Sequence, residues 1–242
     1  MAEEPTSAIA GKEKYQDYYS EGGRQIEWRR MCARAKADNV VNICSGIPHE
    51  TILEIGCGSG DILQELGNRG FAKELTGIEI STSGLERLQD KTIPTLKEAR
   101  IFDGEVVPFE DQTFDLVVLS HVVEHLEHPR RMLHEARRVA RFVFVEVPLE
   151  HTSRLRADFD FNEVGHINFY TSKTIRRLLQ TSGLKVERQI VTDTTMEMLT
   201  FQMGGRGVLQ HVVRNASLRL FPKLAQSFFV YHSALVARSS RE

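Results

Sequence analysis

Residues 51–61 read Thr-Ile-Leu-Glu-Ile-Gly-Cys-Gly-Ser-Gly-Asp. The apolar run of Ile52, Leu53 and Ile55 is too short for a helix and leads straight into a turn, the pattern of a strand buried on both faces. Gly56, Gly58 and Gly60 let the backbone take positive φ and let a ligand lie directly on the main chain. Asp61–Leu66 then opens a helix, with Ser59 or Asp61 placed to cap its first N–H groups. Strand, glycine turn and helix N-terminus form the first crossover of a nucleotide-binding α/β sheet. The simpler alternative is a turn that is merely tight.

The same alternation recurs outward from this stretch. Leu75–Ile80 is a second apolar run, followed by a helix over Ser81–Gln89. Ala99–Phe102 is a weaker third strand and Phe114–Leu119 a strong fourth. Pro129 sits in the first turn of a helix whose buried stripe is Met132, Leu133, Ala136 and Val139. Arg130, Arg131, Arg137 and Arg138 are left as its solvated face. Phe142–Val147 is the fifth strand. An irregular loop over 149–170 precedes a helix over Thr171–Ser182, ended by Gly183, and a sixth strand over Leu184–Val191. The stretch 193–226 is ambiguous apart from a helix over Val208–Leu220, with Pro222 at its end, and Ser227–Ala237 reads as a last strand. The prediction is an α/β fold, a mostly parallel sheet with helices on both faces and a late antiparallel pair. Residues 1–45 form a polar tail and a cap helix over Arg24–Cys44, and 46–242 form the α/β domain. Tyr15, Tyr18, Tyr19 and Trp28 cluster ahead of the sheet, so this helix either packs on the sheet edge or carries aromatics toward a substrate as a lid.

At 242 residues, 41% hydrophobic and 26% charged, the chain has the composition of a soluble globular protein. A net charge of −2 gives no electrostatic footprint for non-specific nucleic-acid binding. Cys32, Cys44 and Cys57 are odd in number and unpatterned, which points to a reducing compartment. The first residues lack an apolar signal core, and no run of about 18 apolar residues occurs, so a cytoplasmic protein without membrane insertion is expected. A membrane-surface role for the 208–220 helix is weakened by its modest charge.

Gly56-x-Gly58-x-Gly60 differs from a dinucleotide fingerprint, because Asp61 stands at the next expected glycine position. A ligand without phosphates needs backbone room for an amino-acid tail and a carboxylate at the end of the second strand for ribose hydroxyls. Glu79 is that carboxylate, and Asp103 lies just past the third strand, where it can accept from an adenine amino group. With LEIGCGSG, Glu79 in LTGIEIS, Asp103 in the stretch running to Pro129, and NFYTSKTIRRLLQTSGLKV, the chain resembles the class I S-adenosylmethionine-dependent methyltransferases. It is most similar to the small-molecule group that includes quinone-biosynthesis enzymes, over about residues 50–192. The resemblance implies a seven-stranded, mostly parallel sheet with an antiparallel last strand, and S-adenosylmethionine as cofactor. It implies that Glu54, Gly56, Gly58 and Gly60 line the methionine and ribose side, that Glu79 binds the ribose, and that Asp103 and Gly104 flank the adenine. Ser120 and His121 would lie beneath the sulfonium.

His121-Val122-Val123-Glu124-His125 carries three readings. As HxxEH on a long helix it would bind zinc for peptide hydrolysis, but a buried strand precedes it and Pro129 follows closely. Related methyltransferases carry ExxEH there and hold a divalent ion. With His121, Glu124, His125 and His166 as ligands, this chain would suit zinc, iron or manganese better than magnesium. In the favoured reading Glu124-His125 packs and caps below the pocket, and His121, His166 or neither acts as general base. The Asn/Asp-Pro-Pro-Tyr motif of base or amide nitrogen methylation is absent after the fourth strand. The expected activity is therefore O-methylation of a small molecule: an aromatic, a quinone, a sugar or a secondary metabolite. The alternatives are RNA 2′-hydroxyl methylation and a cofactor-binding regulatory subunit without turnover.

Overall fold

The computed structural model describes residues 19, 23–153, 155 and 165–239. Tyr15, Tyr18, the polar tail and the centre of the loop before Gly165 lie outside the described residues. The elements in order are α1 (Arg24–Cys44), β1 (Thr51–Ile55), α2 (Asp61–Asn68), β2 (Glu74–Glu79), α3 (Thr82–Gln89), β3 (Leu96–Ile101) and β4 (Phe114–Ser120). They continue with α4 (Pro129–Val139), β5 (Ala140–Pro148), α5 (Ser172–Thr181), β6 (Leu184–Thr192), α6 (Met196–Met203), α7 (Arg206–Leu220), α8 (Pro222–Phe228) and β7 (His232–Ser239). The strands form one sheet in the order β3-β2-β1-β4-β5-β7-β6. β1 to β5 pair in parallel, whereas β7 is inserted antiparallel to both β5 and β6. This is the predicted seven-stranded sheet.

The period of two along the central strands divides the core. Val117 and Leu119 of β4 pack with Val143 and Val145 against Leu133 and Ala136 of α4 and Ile175 and Leu179 of α5. Leu116 and Val118 point the other way, with Phe142 and Phe144, onto Leu63 and Leu66 of α2 and Ala37, Val40 and Ile43 of α1. Both sheet faces are thereby covered, as a parallel sheet requires. α1 shares the core through one stripe and presents Trp28 to the cavity described below, so it is both packed on the sheet and a carrier of aromatics.

Several local expectations are corrected. Neither Ser59 nor Asp61 caps α2: its N-cap is Gly60, in the left-handed region with φ of 71°. Asp61 instead pairs with Lys91 at 2.7 Å and accepts from the Ser59 hydroxyl. β3 starts at Leu96, earlier than expected. The ambiguous stretch holds three helices, and Pro222 begins the last of them, its missing N–H costing nothing in a first turn. β7 consequently begins only at His232.

Two of the arginines expected on a solvated face are clamps. Arg137 donates to the carbonyls of Ser182 and Gly183. Arg138 donates to the carbonyls of Phe109 at 2.7 Å and Val107 at 2.8 Å while pairing with both oxygens of Glu135, so it fastens the loop between β3 and β4 to α4. Arg138→Ala is expected to cost about 2–3 kcal/mol in urea unfolding, because it leaves two loop carbonyls and a carboxylate without their donor. An unchanged midpoint would refute the clamp.

Candidate functional site

The strand order reverses between β1 and β4, where a crevice forms at the carboxyl ends of the strands. A cavity of about 770 Å³ lies there, bounded by the glycine turn, the ends of β2, β4 and β5, and residues of α1, α6 and α7. The turn is built for close approach. Gly56 has φ of +74° and a Cβ there would meet the Val122 side chain, while Gly58 has φ of +53° and lies against the Tyr19 ring. Any larger residue is excluded twice, by backbone conformation and by space.

Glu79 organises this turn. Its Oε2 accepts the Gly58 N–H at 2.6 Å, and its Oε1 accepts those of Ile80 and Ser81, each at 2.8 Å. Burial raises its carboxyl above the usual range, against the pull of those three donors. Glu54 is fully buried, lines the cavity, and has one carboxylate oxygen that accepts no hydrogen bond from the described residues. Burial holds its carboxyl well above the ordinary value.

Of the other residues singled out from sequence, Gly56, Ser120, His121, His125 and His166 line the cavity, whereas Gly58 and Gly60 shape the turn behind it. Asp103 and Gly104 do not line it. The Asp103 carboxylate turns onto its own loop, accepting the N–H groups of Glu105 at 2.8 Å and Val106 at 3.0 Å, and Phe102 faces the cavity in its place.

The 121–125 stretch is a single turn of 3₁₀ helix over Val123–His125, which removes the long helix a peptidase motif needs. His121 holds a positive φ of 57°, unusual for a residue with a side chain. The Glu124 carbonyl accepts the N–H groups of Ile167 and Asn168, so the backbone of this turn does fasten the following loop. Its side chain is left over. Glu124 is completely buried, and neither carboxylate oxygen accepts a hydrogen bond among the described residues; His121 Nδ1 lies 3.2 Å from Oε1, outside hydrogen-bonding geometry.

Glu124, His125 and His166 each offer a ligand atom, and these atoms lie within 4.8 Å of one another. His121 does not join that group; its ring stands beside His232, centroids 5.1 Å apart. The two clustered imidazoles are oriented through their other nitrogens, His125 Nδ1 lying 3.2 Å from the Gly165 carbonyl and His166 Nδ1 2.6 Å from Glu150. A histidine held through Nδ1 by a carbonyl or carboxylate is the second-sphere pattern of metal-binding histidines. Burial lowers the His125 imidazole, against the opposing charge of Glu124. Burial also works against a charged His166, but the hydrogen bond to Glu150 and the charges of Glu124 and Glu150 outweigh it and raise that imidazole. Burial lowers the His121 imidazole well below its ordinary value, with Lys36 and the neighbouring imidazoles adding to the effect, and pushes His232 down to about 3.

Among the cavity residues that escape sequence reasoning are Lys36, Asn39, Glu146 and His232. Glu146 accepts from Asn39 at 2.6 Å and from the Ser120 hydroxyl at 2.8 Å, joining α1 to the end of β4. Its signal was present, as a lone carboxylate inside the apolar run of β5. The other three carry none.

A cavity over a glycine turn at the switch point, with acids at the first two strand ends and a β7 inserted antiparallel, defines the class I methyltransferase fold. Residues 26–189 match the family described as a methyltransferase domain, and the chain belongs to that family of S-adenosylmethionine-dependent methyltransferases. It is 27% identical to the demethylmenaquinone methyltransferase of Thermotoga maritima over 143 residues, 54% of this chain and 55% of the relative. It is 32% identical to the mitochondrial ubiquinone biosynthesis O-methyltransferase of Candida albicans over 90 residues, 35% of this chain and 27% of the relative. The chain thus spans about half or less of these relatives' length. The crystal structure of the [4+2]-cyclase SpnF superposes with a TM-score of 0.62 at 16% identity, covering 86% of this chain and 81% of that one. At that identity the likeness concerns the fold alone.

Proposed function

We propose that the protein transfers the methyl group of S-adenosylmethionine to a hydroxyl of a small molecule, with a divalent cation at the acceptor side. The cofactor fits the residues present. The glycine turn leaves main chain open to the cavity, the free Glu54 oxygen can accept from an ammonium, and Lys36 can pair with a carboxylate. Glu79 has lone pairs left for ribose hydroxyls at the end of β2. Phe102 and Ile80 line the cavity at the ends of β2 and β3 and offer the adenine apolar contact, with Asp103 just beyond them on its loop.

The bound cofactor supplies a methyl group already activated by its positive sulfur, so the protein's work is positioning and proton removal. The observation that carries the acceptor reading is the buried, unbonded carboxylate of Glu124 inside a three-ligand group. A carboxylate left without donors in a dry interior is costly, and a cation offsets that cost. Glu124, His125 and His166 would hold it, and the ion would acidify and orient the acceptor hydroxyl. His121, on the cavity wall at the end of β4, would receive the hydroxyl proton only from an acceptor that the ion has already acidified, because burial disfavours its charged form. Ser120 and Glu146 fix the strand end beside it.

Two measurements test this. Calorimetry should show S-adenosylhomocysteine binding and no NADH binding; the reverse overturns the cofactor assignment. Elemental analysis should find about one zinc, iron or manganese per chain, and chelation should abolish transfer to a hydroxylated aromatic acceptor. A metal-free enzyme insensitive to chelator would remove the ion, and with it the role given to His121.

A further inference from the structure

The helices beyond β6 are built inside out. The inner face of α7 is held by polar groups: Arg214 is buried against Asp193 at 2.5 Å, Asn215 donates to the same carboxylate, and the Arg214 carbonyl accepts from the Tyr231 hydroxyl at 2.8 Å. The outer face is apolar. Leu209, Val212, Val213 and Leu220 follow the three-to-four spacing of one helical stripe, and Leu224 and Phe228 of the adjoining α8 are exposed as well. All six are exposed, Leu209 to 69% and Leu220 to 70%. Scattered surface leucines need no explanation, but an exposed apolar stripe along one helix with more exposed apolar side chains on the next does.

Charge says what covers it. Between Met198 and Ser239 the chain contains no aspartate or glutamate, while Arg206, Arg219 and Lys223 are exposed around the stripe. We propose that the outer face of α7 and α8 docks on an anionic lipid bilayer, lying in the headgroup region with its apolar stripe toward the acyl chains. An exposed apolar face on helices whose own charged residues are all basic matches the composition of an interfacial helix. A second copy of this chain fits the face less well, since pairing would bring like charges together with no acid between them. No helix among the described residues is long and apolar enough to cross a membrane, so the attachment lies on the surface. Gln210 and Arg214 of α7 also line the cavity, so the docking face and the cavity wall are two sides of one helix.

Co-sedimentation of the full chain with vesicles tests the inference. Binding is expected to phosphatidylcholine–phosphatidylglycerol vesicles, to be much weaker to phosphatidylcholine alone, and to fall with added salt. Combining Leu209→Glu, Leu220→Glu and Leu224→Glu should abolish it without moving the thermal midpoint, because these side chains are exposed. Combining Arg219→Glu with Lys223→Glu should lower partitioning about tenfold or more, since each basic residue near an anionic surface contributes roughly a fivefold factor. Absence of vesicle binding by the native chain overturns the proposal. So does self-association in sedimentation equilibrium, abolished by the leucine substitutions, in a chain that ignores vesicles. Equal binding by the native chain and the triple variant overturns it as well.

Discussion

Glu79→Ala is expected to destabilise the protein by about 3–5 kcal/mol and to weaken S-adenosylhomocysteine binding at least about a hundredfold, because it strips one carboxylate from three buried donors. The N–H groups of Gly58, Ile80 and Ser81 all point at this side chain. No other acceptor among the described residues is placed to take over all three N–H groups. The cost therefore exceeds that of a residue that only touches ribose. Glu79→Gln sharpens the test. Its amide oxygen can serve one side of the site, but its NH₂ then faces a donor on the other, and about 1–3 kcal/mol should be lost despite the unchanged shape. Urea unfolding of both variants, with calorimetry on whatever remains folded, measures the two effects separately. An unchanged unfolding midpoint for the alanine variant would show that the turn holds its shape without the carboxylate.

Glu124→Gln should act in the opposite sense on stability. The metal-free protein carries a fully buried carboxylate that accepts no hydrogen bond among the described residues. Replacing it with a neutral amide of the same size removes a desolvated charge and should stabilise that form by about 1–3 kcal/mol. The same change removes the one anionic member of the proposed metal cluster, and methyl transfer should fall by more than about a hundredfold, with metal content lost in parallel. Gain of stability with loss of activity marks a residue kept for function. Thermal unfolding of chelated protein and turnover of the loaded enzyme supply the two readings. Loss of stability together with full metal content would show that Glu124 is a structural group instead.

The glycine turn, the order of strands and helices, and the acid at the end of β2 were legible because each is written in consecutive residues. Period and turn chemistry are local, and β1 to β5 follow one another across the parallel part of the sheet with little ambiguity. Local pattern is less decisive where it has two tertiary outcomes. Asp103 follows β3 as an adenine-binding acid should, and its carboxylate accepts two N–H groups of its own loop. Arg138 lies off the apolar stripe of α4, but the loop folded over that helix turns an outward side chain into a clamp.

By itself, then, the sequence determined the strand–glycine–helix crossover, the seven-stranded sheet and the proximity of Glu124 to His125. Only the tertiary structure decided what surrounds them. β7 runs antiparallel to β5 in a register that sets His232 opposite Pro148, which carries a residue from the end of the chain to the side of His121. α1 brings Lys36 and Asn39 to the same place from the other end, and the loop before α5 folds back to set His166 beside His125. These meetings depend on strand insertion and helix packing between residues more than a hundred positions apart in two of the three cases. No local periodicity encodes such contacts, because what fixes them is the burial of whole elements against one another.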